Sequence, residues 1–468
     1  MSDVTAAAST SVREELVGPG RRPVTVGIVL LISLIAFENM GVSTAMPALV
    51  ADLGSVDLYA WPFVSFVAAS VLGTVLGGRW CDTHGARWPL LVAPAVFGAG
   101  LLVAGTAETF AQLLLGRVLQ GAGAGVQGVA VYVLIAAVYS AAARPAVFGL
   151  ISSAWVLPSL VGPPVAGLVT DTVSWHWVFL GLVPLVVLAM ALVAPAVRTL
   201  QPLARGGDGD GDGGTRRPQV LLPATAAALA VAALSWAGQE ADGGGAASWV
   251  VGLVAAASLG VLVPALRRLL PPGTLSARRG VAAVVLCRGL IAGAFFATTA
   301  YLPLLLTDVH GWSLTAAGTP LIAGSLGWSA SSAWQGRHPD LARPVLLRVG
   351  FAGVAAGAAA LLLVTPTWGA AWVAVPAWTV AGLGMGLGFS AISQLLLEAS
   401  PPALVGANSA AAQLGDGLAQ AVFVGVGGAL VATAATVALG LSGLVVVVVA
   451  LAALGVWVSP RTAAPAPR

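Results

Sequence analysis

Lysine is absent from this chain, so all 21 basic residues are arginine. Charge of either sign is scarce. Only 8% of residues are charged, against about 25% in soluble domains. That excludes a chain built of ordinary water-soluble domains. Cysteine is nearly missing too. Cys81 falls in an expected loop and Cys287 in an apolar run, so neither a disulfide nor a metal site follows. His84, His176, His310 and His338 fall in expected loops without clustering, which suggests no histidine relay and no metal site. No nucleophile–base cluster or soluble signalling domain is visible, so neither an enzyme nor a receptor is expected, and no cofactor is called for. The net charge of +3 sits in the loops and reads as topology, not as a nucleic-acid footprint.

Apolar residues are what the chain has in abundance. They make up 58% of it, and the mean hydropathy is +0.95. A helix needs about 20 apolar residues to cross a bilayer, and such runs recur from end to end. Fourteen spans are expected, at about 24–50, 59–78, 88–106, 110–139, 145–169, 175–197, 220–238, 248–270, 280–306, 315–335, 344–365, 369–396, 404–430 and 434–458. The fold class expected is all-α, a polytopic transmembrane bundle. The polar stretch before the first span ends in Arg21-Arg22 and does not make a cleavable signal peptide.

Orientation follows from arginine. With both termini cytoplasmic, Arg79, Arg87, Arg144, Arg198, Arg267, Arg337 and Arg343 fall inside. The outer loops then hold Asp52, Asp57, Glu108, Asp171, Glu240, Asp242 and Asp308 and no arginine, the pattern of a multi-pass cell-membrane protein. The longest inner loop, about 198–219, carries GGDGDGDGG between Arg205 and Arg216-Arg217. The downstream Glu of a calcium loop is missing, so it reads as a flexible linker.

An internal repeat divides the chain. Gly78-Arg79-Trp80-Cys81-Asp82, then Ala86-Arg87, follows the second span. Gly336-Arg337-His338-Pro339-Asp340, then Ala342-Arg343, follows the tenth. Two six-span blocks are expected, 1–198 and 280–468, with a linker and an inserted helix pair in 199–279. Six plus two plus six is one way secondary transporters are built.

Within the first span lies Glu38, followed by Asn39. A charge at the bilayer centre costs about 2.5–3.5 kcal/mol even on lenient scales, and such residues mark ion or substrate paths. Arg117 in the fourth span is expected at a similar depth, about 10 Å from the outer edge. If the two helices adjoin, the pair can form, and its balance between ionised and neutral acid is what proton coupling needs. Asp416 lies mid-span in the thirteenth run, where Arg288 of the ninth can neutralise it. A structural pair and a second proton or cation site are both open readings.

Four motifs resemble the major facilitator superfamily, in particular its fourteen-span drug:proton antiporters, over nearly the whole chain. One is Gly78-x-x-x-Asp82-x-x-Gly85-x-Arg87, although Thr83 stands where the family often has a basic residue. The second is Leu113-x-x-x-Arg117-x-x-Gln120-Gly121-x-Gly123. The third is Gly162-Pro163-Pro164-x-Ala166-Gly167, similar to a motif of the superfamily's antiporters. The fourth is an acid with a proline nine positions on, Glu38 and Pro47, although Met40 and Ser43 depart from the family form.

The resemblance implies two six-helix bundles around a cavity and alternating access. It implies proton-driven export of a small, fairly apolar compound such as a drug or secondary metabolite. Same-fold alternatives are lipid or siderophore export and proton-coupled uptake. It implies that Asp82 locks the outward-facing state against span thirteen near Ala403, with Arg144 as a second partner. Asn39, Gln120, Gln127, Arg288, Thr299, Tyr301, Gln394 and Gln413 are candidate cavity residues. The partners expected are a small-molecule substrate, protons and the lipid bilayer, and the chain is expected to be monomeric.

Overall fold

The computed structural model describes residues 12–18, 21–54, 58–140, 143–199, 218–243, 248–338, 340–401 and 404–463. The linker from Arg205 to Arg217, Pro339 and Ala403 lie outside the described residues, as do the side chains of Asp82 and Arg144.

Seventeen α-helices follow one another, and no strand occurs among the described residues. They are α1 (Val12–Val17), α2 (Arg22–Leu53), α3 (Trp61–His84), α4 (Arg87–Gly105), α5 (Phe110–Val138), α6 (Arg144–Thr172), α7 (His176–Leu180), α8 (Val183–Thr199) and α9 (Pro218–Gly243). Then come α10 (Ser248–Leu269), α11 (Val281–Leu304), α12 (Leu314–Ala317), α13 (Thr319–Gly336), α14 (Arg343–Ala360), α15 (Ala374–Ala399), α16 (Val405–Thr433) and α17 (Val437–Val458). Among the described residues, twelve candidate membrane spans are long and apolar enough to cross a bilayer. Two further helices, α6 and α13, are 29 and 18 residues long and stand outside those twelve.

Local chemistry sets the ends. The Thr109, Ser313 and Thr436 hydroxyls each accept from a backbone N–H three residues on, opening α5, α12 and α17. Proline occupies the first turn of α2, α3, α6, α13 and α14, where no N–H is needed. Gly85 ends α3 at φ 73° and ψ 174°, a conformation that is essentially glycine's alone. The run expected at 175–197 breaks into α7 and α8 around Gly181, and α11 runs on into a π-helical turn, Leu305–Val309.

In lipid, apolar faces gain little by meeting each other, so helices associate through close approach and hydrogen bonds. Both devices recur. A methyl group on Gly116 of α5 would lie 2.6 Å from the backbone nitrogen of Ala104 in α4. One on Gly350 of α14 would lie 2.6 Å from that of Gly388 in α15. The packing pattern itself repeats. The pairings α3–α5, α4–α5, α2–α6, α2–α8 and α4–α8 have counterparts in α13–α15, α14–α15, α11–α16, α11–α17 and α14–α17.

The two sets meet where α3 packs on α16, α6 on α12 and α13, and α2 on α11. Of the remaining pair, α9 packs against both α3 and α16. Its partner α10 leans on α9 and turns Trp249, Leu253 and Leu259 outward, 71%, 61% and 50% exposed.

Candidate functional site

Glu38 lies mid-way along α2 and is completely buried. Arg117 of α5 reaches it with Nη1, and its own side chain is 2% exposed. Three further contacts hold the guanidinium. Nε donates to the Pro62 carbonyl at 2.9 Å, Nη1 donates to Gln120 Oε1 at 2.6 Å, and the Phe66 ring lies 4.5 Å away. The α3 residues Pro62 and Phe66 thus steer Arg117 toward α2. Glu38 Oε2, Gln120 Nε2 and Gln127 Oε1 are buried without a hydrogen-bond partner among the described residues. Taking two charges out of water is expensive, and only good geometry offsets it. Here Arg117 is well satisfied, while Glu38 rests on one partner.

A second ion pair joins the other set of helices. Arg288 of α11 donates from Nε to Asp416 Oδ2 of α16 at 2.7 Å. Its guanidinium packs 4.5 Å from the Phe389 ring of α15. These side chains are 14% and 21% exposed, more open than the first pair. Tyr132 of α5, 43% exposed, lies within electrostatic reach of Arg288. Next to Asp416, a methyl group on Gly417 would lie 3.3 Å from the Val71 side chain of α3, so α16 meets the first set of helices here.

Other expected cavity residues are used in packing. Gln127 donates to the Leu31 carbonyl at 3.1 Å, Thr299 to Phe295 at 2.8 Å and Tyr301 to Val424 at 2.7 Å, all buried. Gln120 is buried on Arg117. All four serve helix packing, and Tyr301 also borders a small apolar pocket between α11 and α17. Asn39 is half-buried and donates to Ile35 at 2.9 Å. Gln394 is half-buried and Gln413 is exposed.

The expected switch and antiporter motifs sit at helix ends and seams. Gly78 has open space around it, Gly85 terminates α3, and Arg87 is exposed at the start of α4. Gly162, Pro163 and Gly167 are buried on α6. Gly162 faces Met40 of α2, while a methyl group on Gly167 would lie 2.7 Å from the Thr315 backbone. That close approach frames a contact for which the sequence gives no warning. Asp171 accepts from the Leu314 N–H at 3.3 Å, the Thr315 N–H at 2.9 Å and the Thr315 hydroxyl at 2.7 Å. This carboxylate clasps α6 to α12. Its signal in the sequence is only an acid four residues after Gly167. The Tyr59 hydroxyl donates to the Ala300 carbonyl at 2.8 Å, another link between the two sets.

An apolar cavity of about 370 Å³ lies away from both pairs, between α2, α6, α7 and α8. Leu157 and Trp177, 66% and 54% exposed, flank it, so it opens on the side of the bundle.

The chain is similar in sequence and in fold to known proteins. A family profile described as Major Facilitator Superfamily covers residues 28–424. The chain belongs to the major facilitator superfamily. As a member it is a multi-pass membrane protein. Multidrug resistance protein 3 of Bacillus subtilis is 33% identical over 170 residues, 36% of this chain and 33% of that protein. Efflux pump bfoC of Aspergillus brasiliensis is 27% identical over 383 residues, 78% of this chain and 66% of that pump. An uncharacterized MFS-type transporter of Mycobacterium tuberculosis is 29% identical over 339 residues, 68% and 47% of the two chains. The chain thus spans between a third and two thirds of the length of these relatives. Among solved structures, an auto-inhibited POT family peptide transporter superposes with a TM-score of 0.67 over 94% of this chain and 96% of the other. At 14% identity, that likeness concerns the fold alone.

Proposed function

We propose that this superfamily member is a proton-coupled antiporter that exports small, fairly apolar organic compounds across the cell membrane by alternating access. The buried Glu38–Arg117 pair carries the reading. A carboxylate with one partner and one unpartnered oxygen can exchange a proton without dismantling its neighbourhood. In this reading Glu38 takes a proton when the bundle is open outward. Loss of its charge releases Arg117 onto Pro62 and Gln120, which are already in place. The shift in balance favours the inward-open state, where proton release and substrate capture are linked. A ligand biases such states only through its differential affinity for them.

Further parts of the reading rest on the fold. The bundles are 1–198 and 280–468, with 199–279 as linker and inserted pair, and α6 and α13 complete fourteen spans. The termini are cytoplasmic, which places the Asp171 clasp at the outer face. Gly78, Asp82, Gly85, Arg87 and Arg144 form the inner switch. Gly162, Pro163 and Gly167 are the hinge-like seam of an exporter. Relatives named as a multidrug resistance protein and as efflux pumps favour export.

A growth screen of expressing and null cells against toxic compounds identifies a transported compound. Its uptake into everted vesicles is then followed with and without an imposed proton gradient. Uptake should require the gradient, and Glu38→Gln should abolish the requirement together with accumulation. Gradient-independent uptake, or coupling retained in Glu38→Gln, refutes the mechanism.

A further inference from the structure

The two ion pairs are built differently. Arg117 engages a carbonyl, an amide oxygen and Glu38, and is 2% exposed. Arg288 is 14% exposed, and only its Nε is engaged, by Asp416 Oδ2. Among the described residues its two Nη groups have no hydrogen-bond partner. A guanidinium presents five N–H donors in a fixed fork, so most of this one is open. Asp416 is itself loosely held, because its Oδ1 is buried without a partner among the described residues.

The surroundings say what fits. A guanidinium fork matches a carboxylate by two parallel hydrogen bonds, which a compact ammonium does not reproduce. Behind the fork stands an aromatic wall of edge-on rings. Phe389 lies under Arg288 at 4.5 Å and meets Trp328 at 5.6 Å, and Trp328 meets Phe295 at 5.7 Å. Tyr132 of α5, in the other set of helices, lies within electrostatic reach of Arg288. Rings prefer offset or edge-on partners at such distances.

We infer that Arg288 is a head-group site for an aromatic carboxylate, and that Asp416 is the internal anion such a ligand displaces from the guanidinium. This rests on the transporter reading for what is moved, but not for what binds. It names the substrate class as apolar weak acids and locates their recognition in the second bundle. Asp416 then acts as a competitor for the ligand. A purely structural partner of Arg288 behaves in the opposite way, because its removal loosens the site.

The test is equilibrium binding to the purified full-length chain in lipid nanodiscs, with no gradient imposed. The probes are 1-naphthoate, 1-naphthalenemethanol and 1-naphthylmethylamine, one ring system with an anionic, a neutral and a cationic head. Naphthoate should bind about tenfold more tightly than the other two. Arg288→Gln should weaken naphthoate about tenfold and leave the alcohol unchanged, and Arg288→Lys should weaken it by less, since charge remains without the fork. Asp416→Asn should tighten naphthoate by about threefold or more, by removing the competitor. The double variant Arg288→Gln/Asp416→Asn, which removes both charges together, should match Arg288→Gln and controls for folding. Preference for the amine, absence of saturable naphthoate binding, an unaffected Arg288→Gln, or weaker binding in Asp416→Asn overturns the inference. If naphthoate binds as stated and no proton gradient moves it, the coupling mechanism fails and the site stands.

Discussion

Removing either member of the Glu38–Arg117 pair should destabilise the protein, and removing both should cost less than removing one. In Glu38→Gln the guanidinium keeps Pro62 and Gln120 but loses its counter-charge. The cost is that of a broken buried pair, about 3–5 kcal/mol. In Arg117→Met the carboxyl is left with no partner among the described residues, at a cost of the same size. Independent losses would add to about 6–10 kcal/mol in Glu38→Gln/Arg117→Met. That double variant instead buries no uncompensated charge, and exchanging a buried ion pair for neutral side chains is often neutral or stabilising. It should therefore be at least about 2 kcal/mol more stable than either single variant. Equilibrium unfolding by SDS in mixed micelles, followed by tryptophan fluorescence, reads all three. Penalties that add in the double variant would sink the argument.

Other consequences are as direct. Asp171→Ala removes three hydrogen bonds between α6 and α12, and hydrogen bonds to a charged group are worth about 1.5–3 kcal/mol each. Spin labels at Val173 and Ala316 should show a wider, longer distance distribution in that variant, and an unchanged distribution would deny the clasp. Gly85→Ala forces a side chain into φ 73°, at about 1–3 kcal/mol. A measurable drop in thermal stability is expected there, with none for Gly78→Ala, which has open space. Gly350→Val must push α14 from α15, and little monodisperse protein should be recovered in size-exclusion profiles.

Much of the helical order is legible without coordinates. The run expected at 110–139 is α5, Phe110–Val138, because Thr109 supplies a cap where the apolar stretch begins. Glu38 and Arg117 can be matched in depth because helical rise converts residue counts into ångströms. Less legible is which way a polar residue in an apolar run points. Tyr301 and Gln127 read like cavity residues, yet each directs its hydrogen bond to a neighbouring helix's carbonyl. A hydroxyl aimed at water and one aimed at a backbone oxygen look alike in sequence. The Asp171 clasp is illegible for another reason. It joins positions 171 and 315, and no local pattern says that the end of α6 meets α12. The split of α7 from α8 belongs with it, since one glycine in an apolar run does not announce a break.

Helix α9 touches α3 on one side and α16 on the other. A chain shortened by the α9–α10 pair would bare two helix faces shaped for a neighbour, and Gly425 would no longer have Ser235 beside it. Lipid tails cannot follow that relief, nor can they give the two bundles a common surface to slide on. Under the alternating-access proposal the α9–α10 pair is thus a bearing between the two sets of helices, and its side chains set the friction between them.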